Sequence, residues 1–141
     1  MTVCKRIFPA TEDIEFKTIE EFGKWLGTIC KGKTPGKFHL RSKNGLGDGC
    51  NSPGSLWIFR FKGHLIGEGS VEKDITDNDD EQPEKFAICF NPNTIKVYPR
   101  PIPVKNISLP SGKDITRRGI ILSEKDHGYL KNILRKVNGL I

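Results

Sequence analysis

The segment Gly54-Ser55-Leu56-Trp57-Ile58-Phe59-Arg60-Phe61-Lys62-Gly63-His64-Leu65-Ile66-Gly67-Glu68-Gly69-Ser70-Val71 constrains the fold more than any other. Side chains alternate across a strand, so Trp57, Phe59 and Phe61 fall on one face and Leu56, Ile58 and Arg60 on the other. Both faces are therefore largely apolar. Lys62-Gly63 turns the chain, which makes the segment a hairpin. Its return strand carries Gly67 and Gly69, where missing side chains let a neighbouring ring or a ligand approach closely. A small β-barrel built to hold a flat ligand is the expectation.

The rest of the chain supplies the other elements. Val3 to Pro9 reads as a strand and Thr18 to Cys30 as a helix. Thr18 followed by Glu21 forms a capping box, and Ile19, Phe22, Leu26 and Ile29 share one helical face. Trp25 sits at the edge of that stripe, either completing the core or pointing into a cleft. Phe38 to Lys43 reads as a short strand, followed by a loop of turn-formers from Asn44 to Gly54, a candidate recognition loop. The acidic run Asp74 to Glu84 reads as a mobile surface excursion, and Lys85 to Phe90 and Thr94 to Val104 as further strands around the turn Asn91-Pro92-Asn93. Within the latter, Pro99, Pro101 and Pro103 remove ladder donors, which places the segment at an edge. Ser123-Glu124-Lys125-Asp126 starts a C-terminal helix with Tyr129 or Leu130, Ile133, Leu134 and Val137 as its apolar stripe, ended by Asn138-Gly139. Strands contiguous in the middle with helices outside them give an α+β fold. It is a curved mixed β-sheet or partly open barrel of about six strands with a helix near each end, in one domain over the 141 residues.

Charge is unevenly placed. The span from Glu72 to Glu84 carries a local charge of −6, leaving +12 on the remainder of a chain whose net charge is +6. Lys24, Lys31, Lys33, Lys37, Arg41 and Lys43 lie between Phe22 and Gly47 with no intervening acid; Lys105, Lys113, Arg117 and Arg118 form a second group and Lys131, Arg135 and Lys136 a third. Such a field favours polyanions, through release of counterions from each neutralised phosphate. No apolar run approaches the roughly 20 residues that span a bilayer, and the N-terminal residues lack a signal peptide's apolar core. A cytoplasmic location without membrane attachment is expected. Cys4, Cys30, Cys50 and Cys89 form no C-x-x-C pair, so reduced thiols are expected, with Cys89 packed as a small hydrophobe.

Catalytic and cofactor signatures are missing. Lys31-Gly32-Lys33-Thr34-Pro35-Gly36 lacks the Walker spacing, the acidic run lacks the calcium-loop frame, and neither G-x-S-x-G nor H-E-x-x-H occurs. His39, His64 and His127 are far apart in sequence. The expectation is a binding protein with no metal or cofactor, rather than an enzyme.

Several features together resemble the PUA-like superfamily, particularly its EVE and YTH-type branches. They are the early strand and helix, Phe38-His39-Leu40-Arg41-Ser42-Lys43, the glycine-rich approach, the hairpin with its return His64-Leu65-Ile66-Gly67-Glu68-Gly69-Ser70-Val71, and Val97-Tyr98-Pro99-Arg100-Pro101-Ile102. The resemblance implies a barrel surface that binds RNA or DNA, with a modified base held among aromatics. It also implies kinship with the target-reading domains of modification-dependent restriction systems, which are fused to or associated with a nuclease or motor. DNA is favoured over RNA, and a methylated base flipped into an aromatic pocket is the expected target.

Reading a flipped base requires stacking surfaces, hydrogen-bonding groups for the base edge and cations for the backbone. The stacking candidates are Trp25, Trp57, Phe59 and Tyr98, and the edge candidates His39, Ser42, Asn44 and Asp48. The phosphate candidates are Lys37, Arg41, Lys43, Arg100, Arg117 and Arg118. Trp57 and Phe59 also suit a barrel core; alternation buries Phe59 and Phe61 and leaves Trp57, near the loop, as the ring to test. An RNA-binding module or small metal-independent ribonuclease on a PUA-like scaffold is the alternative within that class, and a protein-interaction module using the acidic loop 72–84 is the alternative outside it.

Overall fold

A computed structural model describes residues 3–12, 15–30, 32, 36–40, 50, 52–78, 86–116 and 119–139, with backbone alone at 29–30, 36–40, 74–78 and 86–87. The strands are β1 (Lys5–Pro9), β2 (Gly36–Leu40), β3 (Leu56–Phe61), β4 (His64–Asn78), β5 (Phe86–Phe90), β6 (Lys96–Pro103) and β7 (Ile120–Leu122). The helices are α1 (Ile19–Lys24), which continues as a π-helical turn over Trp25–Cys30, and α2 (Glu124–Asn138). Six strands follow the order β2-β5-β4-β3-β1-β7, and β6 pairs with β4. Since β1 and β3 run parallel while the other pairs are antiparallel, the sheet is mixed. The fold is α+β, an open mixed sheet with a short N-terminal helix and a C-terminal helix, as the element pattern predicted.

The central hairpin forms as expected. Lys62 and Gly63 both take positive φ, 49° and 74°, the conformation that lets a two-residue turn follow the twist of its strands. One strand, β4, serves three partners. Its register shifts at Leu65/Gly67, Val71/Lys73 and Ile75/Asn78, and such bulges bend a strand away from one neighbour toward another. The acidic excursion therefore starts later than predicted: Asp74 to Asn78 belong to β4, with Asp74 opposite Ile88 and Asn78 opposite Phe86, whereas 79–85 lie outside the described residues. The proline-bearing β6 has β4 as its strand partner among the described residues, in keeping with an edge position.

Each face of the sheet has its own core. Trp57, Phe59 and Phe61 pack with Phe8, Phe16, Phe22, Trp25, Leu26, Ile66 and Phe90 under α1. Ile58 packs on the other side with Ile7, Leu65, Tyr98, Ile102, Leu130 and Leu134 under α2. In the parallel register, Ile7 lies opposite Ile58 and Phe8 opposite Phe59, so neighbouring strands send matched apolar residues to each core. This is why both faces of β3 are apolar: a central strand covered on two sides has no solvent face to make polar.

The glycines of β4 serve this packing rather than a ligand. A Cβ at Gly67 would lie 2.5 Å from the Lys96 carbonyl oxygen and 2.7 Å from Leu26 Cδ2; one at Gly69 would lie 3.4 Å from the Phe90 ring. Gly67 thus lets β6 and the π-helical turn close on the sheet. Gly67→Ala is expected to destabilise by about 3 kcal/mol, because backbone on β6 must move to make room. Gly128→Ala, in α2 with no atom within 4 Å of its Cβ, is expected to stabilise by about 0.5–1 kcal/mol. Urea denaturation of the two variants checks the contrast in sign.

Two of the thiols expected to be reduced are joined: Cys4 and Cys50 form a disulfide across 46 positions, with Cα atoms 5.4 Å apart. Tertiary hydrogen bonds bring them together. The Leu56 N–H donates to the Cys4 carbonyl (3.0 Å), the Cys4 N–H donates to Ser55 Oγ (3.2 Å), and the Trp57 indole N–H donates to the Cys50 carbonyl (2.7 Å). Cys89 is buried, as expected of a small hydrophobe. The disulfide removes the thiol argument for a cytoplasmic location, since such bonds persist mainly in oxidising compartments.

Candidate nucleic-acid interface

The stacking candidates separate sharply. Trp57, Phe59 and Tyr98 are core residues, at most 2% exposed. Trp57 stacks on Phe8 at 4.6 Å between centroids, meets Phe90 edge-on at 5.5 Å, and has the Arg6 guanidinium 4.9 Å from its ring. Phe59 lies edge-on to Phe22 and Phe90. The Tyr98 hydroxyl donates to Glu68 Oε1 at 2.8 Å, and burial, reinforced by that carboxylate, pushes its ionisation well above the usual phenol range. None of these three rings has a face available to a base. The proximity of Trp57 to the loop in sequence suggested exposure, but parallel pairing with β1 puts Phe8 and Arg6 over it instead.

Trp25 is different. It follows Phe22 by three positions and so stays on the buried side of the helix, with its ring 5.0 Å from Phe16 and 6.1 Å from Phe22. Yet it also lines a cavity of about 430 Å³ together with Glu15, Glu21, Lys24 and Thr28. Both possibilities left open for Trp25, core and cleft, are realised in one residue. Its indole N–H donates to the Glu15 carboxylate. Glu21 is held by the predicted capping box: its Oε1 accepts from the Thr18 N–H at 3.1 Å and the Lys17 N–H at 3.2 Å, and its own N–H donates to Thr18 Oγ1. Thr28 Oγ1 donates to the Lys24 carbonyl at 2.6 Å. The site is an apolar ring bordered by two carboxylates, a hydroxyl and one ammonium group, within the roughly 300–1,000 Å³ typical of small-ligand pockets.

Of the edge and phosphate candidates, Lys37 and His39 stand two positions apart on β2, opposite Cys89 and Ala87 of β5. Arg100 is exposed on β6, where its N–H donates to Asn138 Oδ1 at 2.6 Å and ties the strand to the end of α2. Arg41, Ser42, Lys43, Asn44, Asp48, Arg117 and Arg118 lie outside the described residues. Of the lining residues, sequence reasoning singled out only Trp25 for the site: Glu21 entered as a capping residue, Lys24 as one of a basic group, and Glu15 and Thr28 not at all. Glu21, Trp25 and Thr28 recur at i, i+4 and i+7, so a search for polar residues beside the tryptophan on the same helical stripe would have found Thr28. Glu15 precedes the helix and carried no such signal.

A second concavity lies on the other side of the sheet, about 210 Å³ in volume and lined by Leu56, Glu68, Lys96, His127, Lys131, Leu134 and Arg135. Burial, then the charges of Lys5 and Lys131, hold the His127 imidazole below its usual range. Among the described residues no helix is long and apolar enough to cross a membrane, and no group of three or more His, Cys, Asp or Glu is arranged to hold a metal ion. Compared with known proteins, the chain matches no family model and no curated protein.

Proposed function

We propose that this chain is a nucleic-acid-binding reader module, which takes an unstacked base, a methylated base of DNA in first place, into the cavity beside Trp25. The observation that carries the reading is the cavity itself, an indole wall with Glu15, Glu21 and Thr28 around it. A flipped base needs a π surface, and Trp25 is the one predicted stacking residue that lines an open space. A carboxylate accepts from an exocyclic amino group, which cytosine, adenine and guanine carry and thymine lacks, so Glu15 and Glu21 favour amino-bearing bases. A methyl group on such a base would pack against the indole. Lys24 borders the cavity as a partner for the adjoining phosphate, and the chain's net charge of +6 attracts the strand as a whole. Service as the specificity module of a modification-dependent restriction system, with an associated nuclease or motor, follows from the PUA-like resemblance and is part of the same proposal.

Competition binding tests it, using matched methylated and unmethylated DNA duplexes and the corresponding RNA at two salt concentrations. Methylated DNA is expected to compete best, and all binding to weaken as salt rises. Glu15→Gln and Thr28→Val are expected to reduce the preference for the methylated duplex by about tenfold while sparing most of the salt-dependent binding. Equal competition by every duplex, unchanged in both variants, would remove the base-reading proposal; preference for RNA would redirect it to an RNA reader.

A further inference from the structure

The concavity under α2 stands apart from the Trp25 cavity. The residues of α2 that line it, His127, Lys131 and Arg135, recur every fourth position and so form one row along the helix, with Leu134 beside them. Across the cleft, β4 and β6 present Glu68 and Lys96, which are direct partners in the strand register. Lys96, Lys131 and Arg135 line the space with one carboxylate, Glu68. Glu68 is also engaged by the Tyr98 hydroxyl at 2.8 Å. Lys131 and Arg135 make no ion pair among the described residues.

The macrodipole accounts for only part of this charge. Arg135 stands in the last turn of α2, where a cation is favoured by the helix's negative end, but Lys131 stands in mid-helix one turn away. Like charges at i and i+4 repel, and Lys96 adds a third cation from the facing strand. Convergence of like charges in a concave space is relieved by an anion. Leu56 and Leu134 give the cleft an apolar part, the His127 imidazole in its neutral form offers one donor and one acceptor, and Glu68 adds an acceptor suited to a ligand hydroxyl.

We propose that the cleft between α2 and the β4–β6 pair is a binding site for the phosphate group of a nucleotide. Lys131 and Arg135 contact the phosphate from the helix and Lys96 from the sheet, while Glu68 and His127 receive the sugar hydroxyls. The nucleotide is either free in solution or one unit of a strand, and the two sources share this chemistry. The proposal does not depend on the reading of the Trp25 cavity, since the two sites lie on opposite faces of the sheet.

The test is an NMR titration of the ¹⁵N-labelled chain, in its oxidised form, with adenosine monophosphate, adenosine and a short single-stranded oligonucleotide. Saturable shifts confined to the amides around Lys96, His127, Lys131 and Arg135 are expected with the monophosphate, and none with the nucleoside. Lys131→Gln and Arg135→Gln are each expected to weaken this binding about tenfold, through loss of a charge-assisted contact. Lys105→Gln, an equal charge change elsewhere on the surface, should leave it intact, as should Glu15→Gln in the other cavity. Tighter binding of the oligonucleotide at the same amides assigns the site to a strand, and equal or weaker binding assigns it to the free nucleotide. Shifts that do not saturate, or that fall equally in Lys105→Gln, would overturn the proposal.

Discussion

Trp57→Ala is expected to destabilise the protein by about 4 kcal/mol, the cost of emptying a fully buried tryptophan site. The ring fills the space between Phe8, Phe59 and Phe90, so its loss leaves a cavity walled by rigid aromatics that cannot easily collapse. Two further losses accompany it. The Arg6 guanidinium loses the Trp57 ring beside it, and the Cys50 carbonyl loses the indole donor. Denaturant unfolding checks the figure, and a cost below about 1 kcal/mol would contradict this packing. Trp57→Ala therefore cannot serve as a probe of base recognition, the role its sequence position suggested. Any loss of binding would report unfolding, whereas Glu15→Gln and Thr28→Val touch the cavity and leave the core intact.

Loss of the Cys4–Cys50 bond carries an expected cost of similar size. Cross-linking across 46 positions removes about 4 kcal/mol of chain entropy from the unfolded state, less any freedom that state has already lost. The paired variant Cys4→Ser with Cys50→Ser should therefore melt roughly 10–20 °C lower than the oxidised protein. A reducing agent should produce the same shift in the oxidised protein and none in the variant. An unchanged melting temperature in both would show that the hydrogen bonds of Ser55, Leu56 and Trp57 hold the two ends together without the bond. Trp57 and Cys50 share a hydrogen bond, so the two perturbations should combine less than additively.

Much of the architecture was legible because it is written in local periodicity. The Thr18–Glu21 capping box, the Ser123 cap, the Lys62-Gly63 turn and the alternating apolar residues of β3 depend on neighbours a few positions apart. Each appears where expected. The seventh strand, β7, escaped notice because Ile120–Leu122 is only three residues long, too short to establish a period, and forms by pairing with β1 from the far end of the chain. The extension of β4 through Asp74 to Asn78 was hidden for a related reason: charge argued for a loop, while pairing with β5 holds the backbone extended.

The candidate site was less legible than the fold. Aromatic residues in a strand mark a core and a stacking platform alike, because both require a flat apolar surface. Only the arrangement of other elements distinguishes them: β1 closes over Trp57, and the Glu68 carboxylate meets the hydroxyl of Tyr98, whereas a cavity remains beside Trp25. The cation row on α2 was visible as a basic group, but its meeting with Lys96 required β6 to lie under the helix.

By itself the sequence determined the α+β class, the central hairpin, the limits of both helices to within a few residues and the basic character of the chain. These follow from local backbone preferences, side-chain alternation and summed charge. Tertiary structure alone decided which face of each aromatic is covered, that Cys4 meets Cys50, and that β4 glycines receive Leu26, Phe90 and β6 rather than a ligand. The physical reason is that burial and bonding between distant segments depend on where the chain returns in space, and spacing along the chain does not encode that separately.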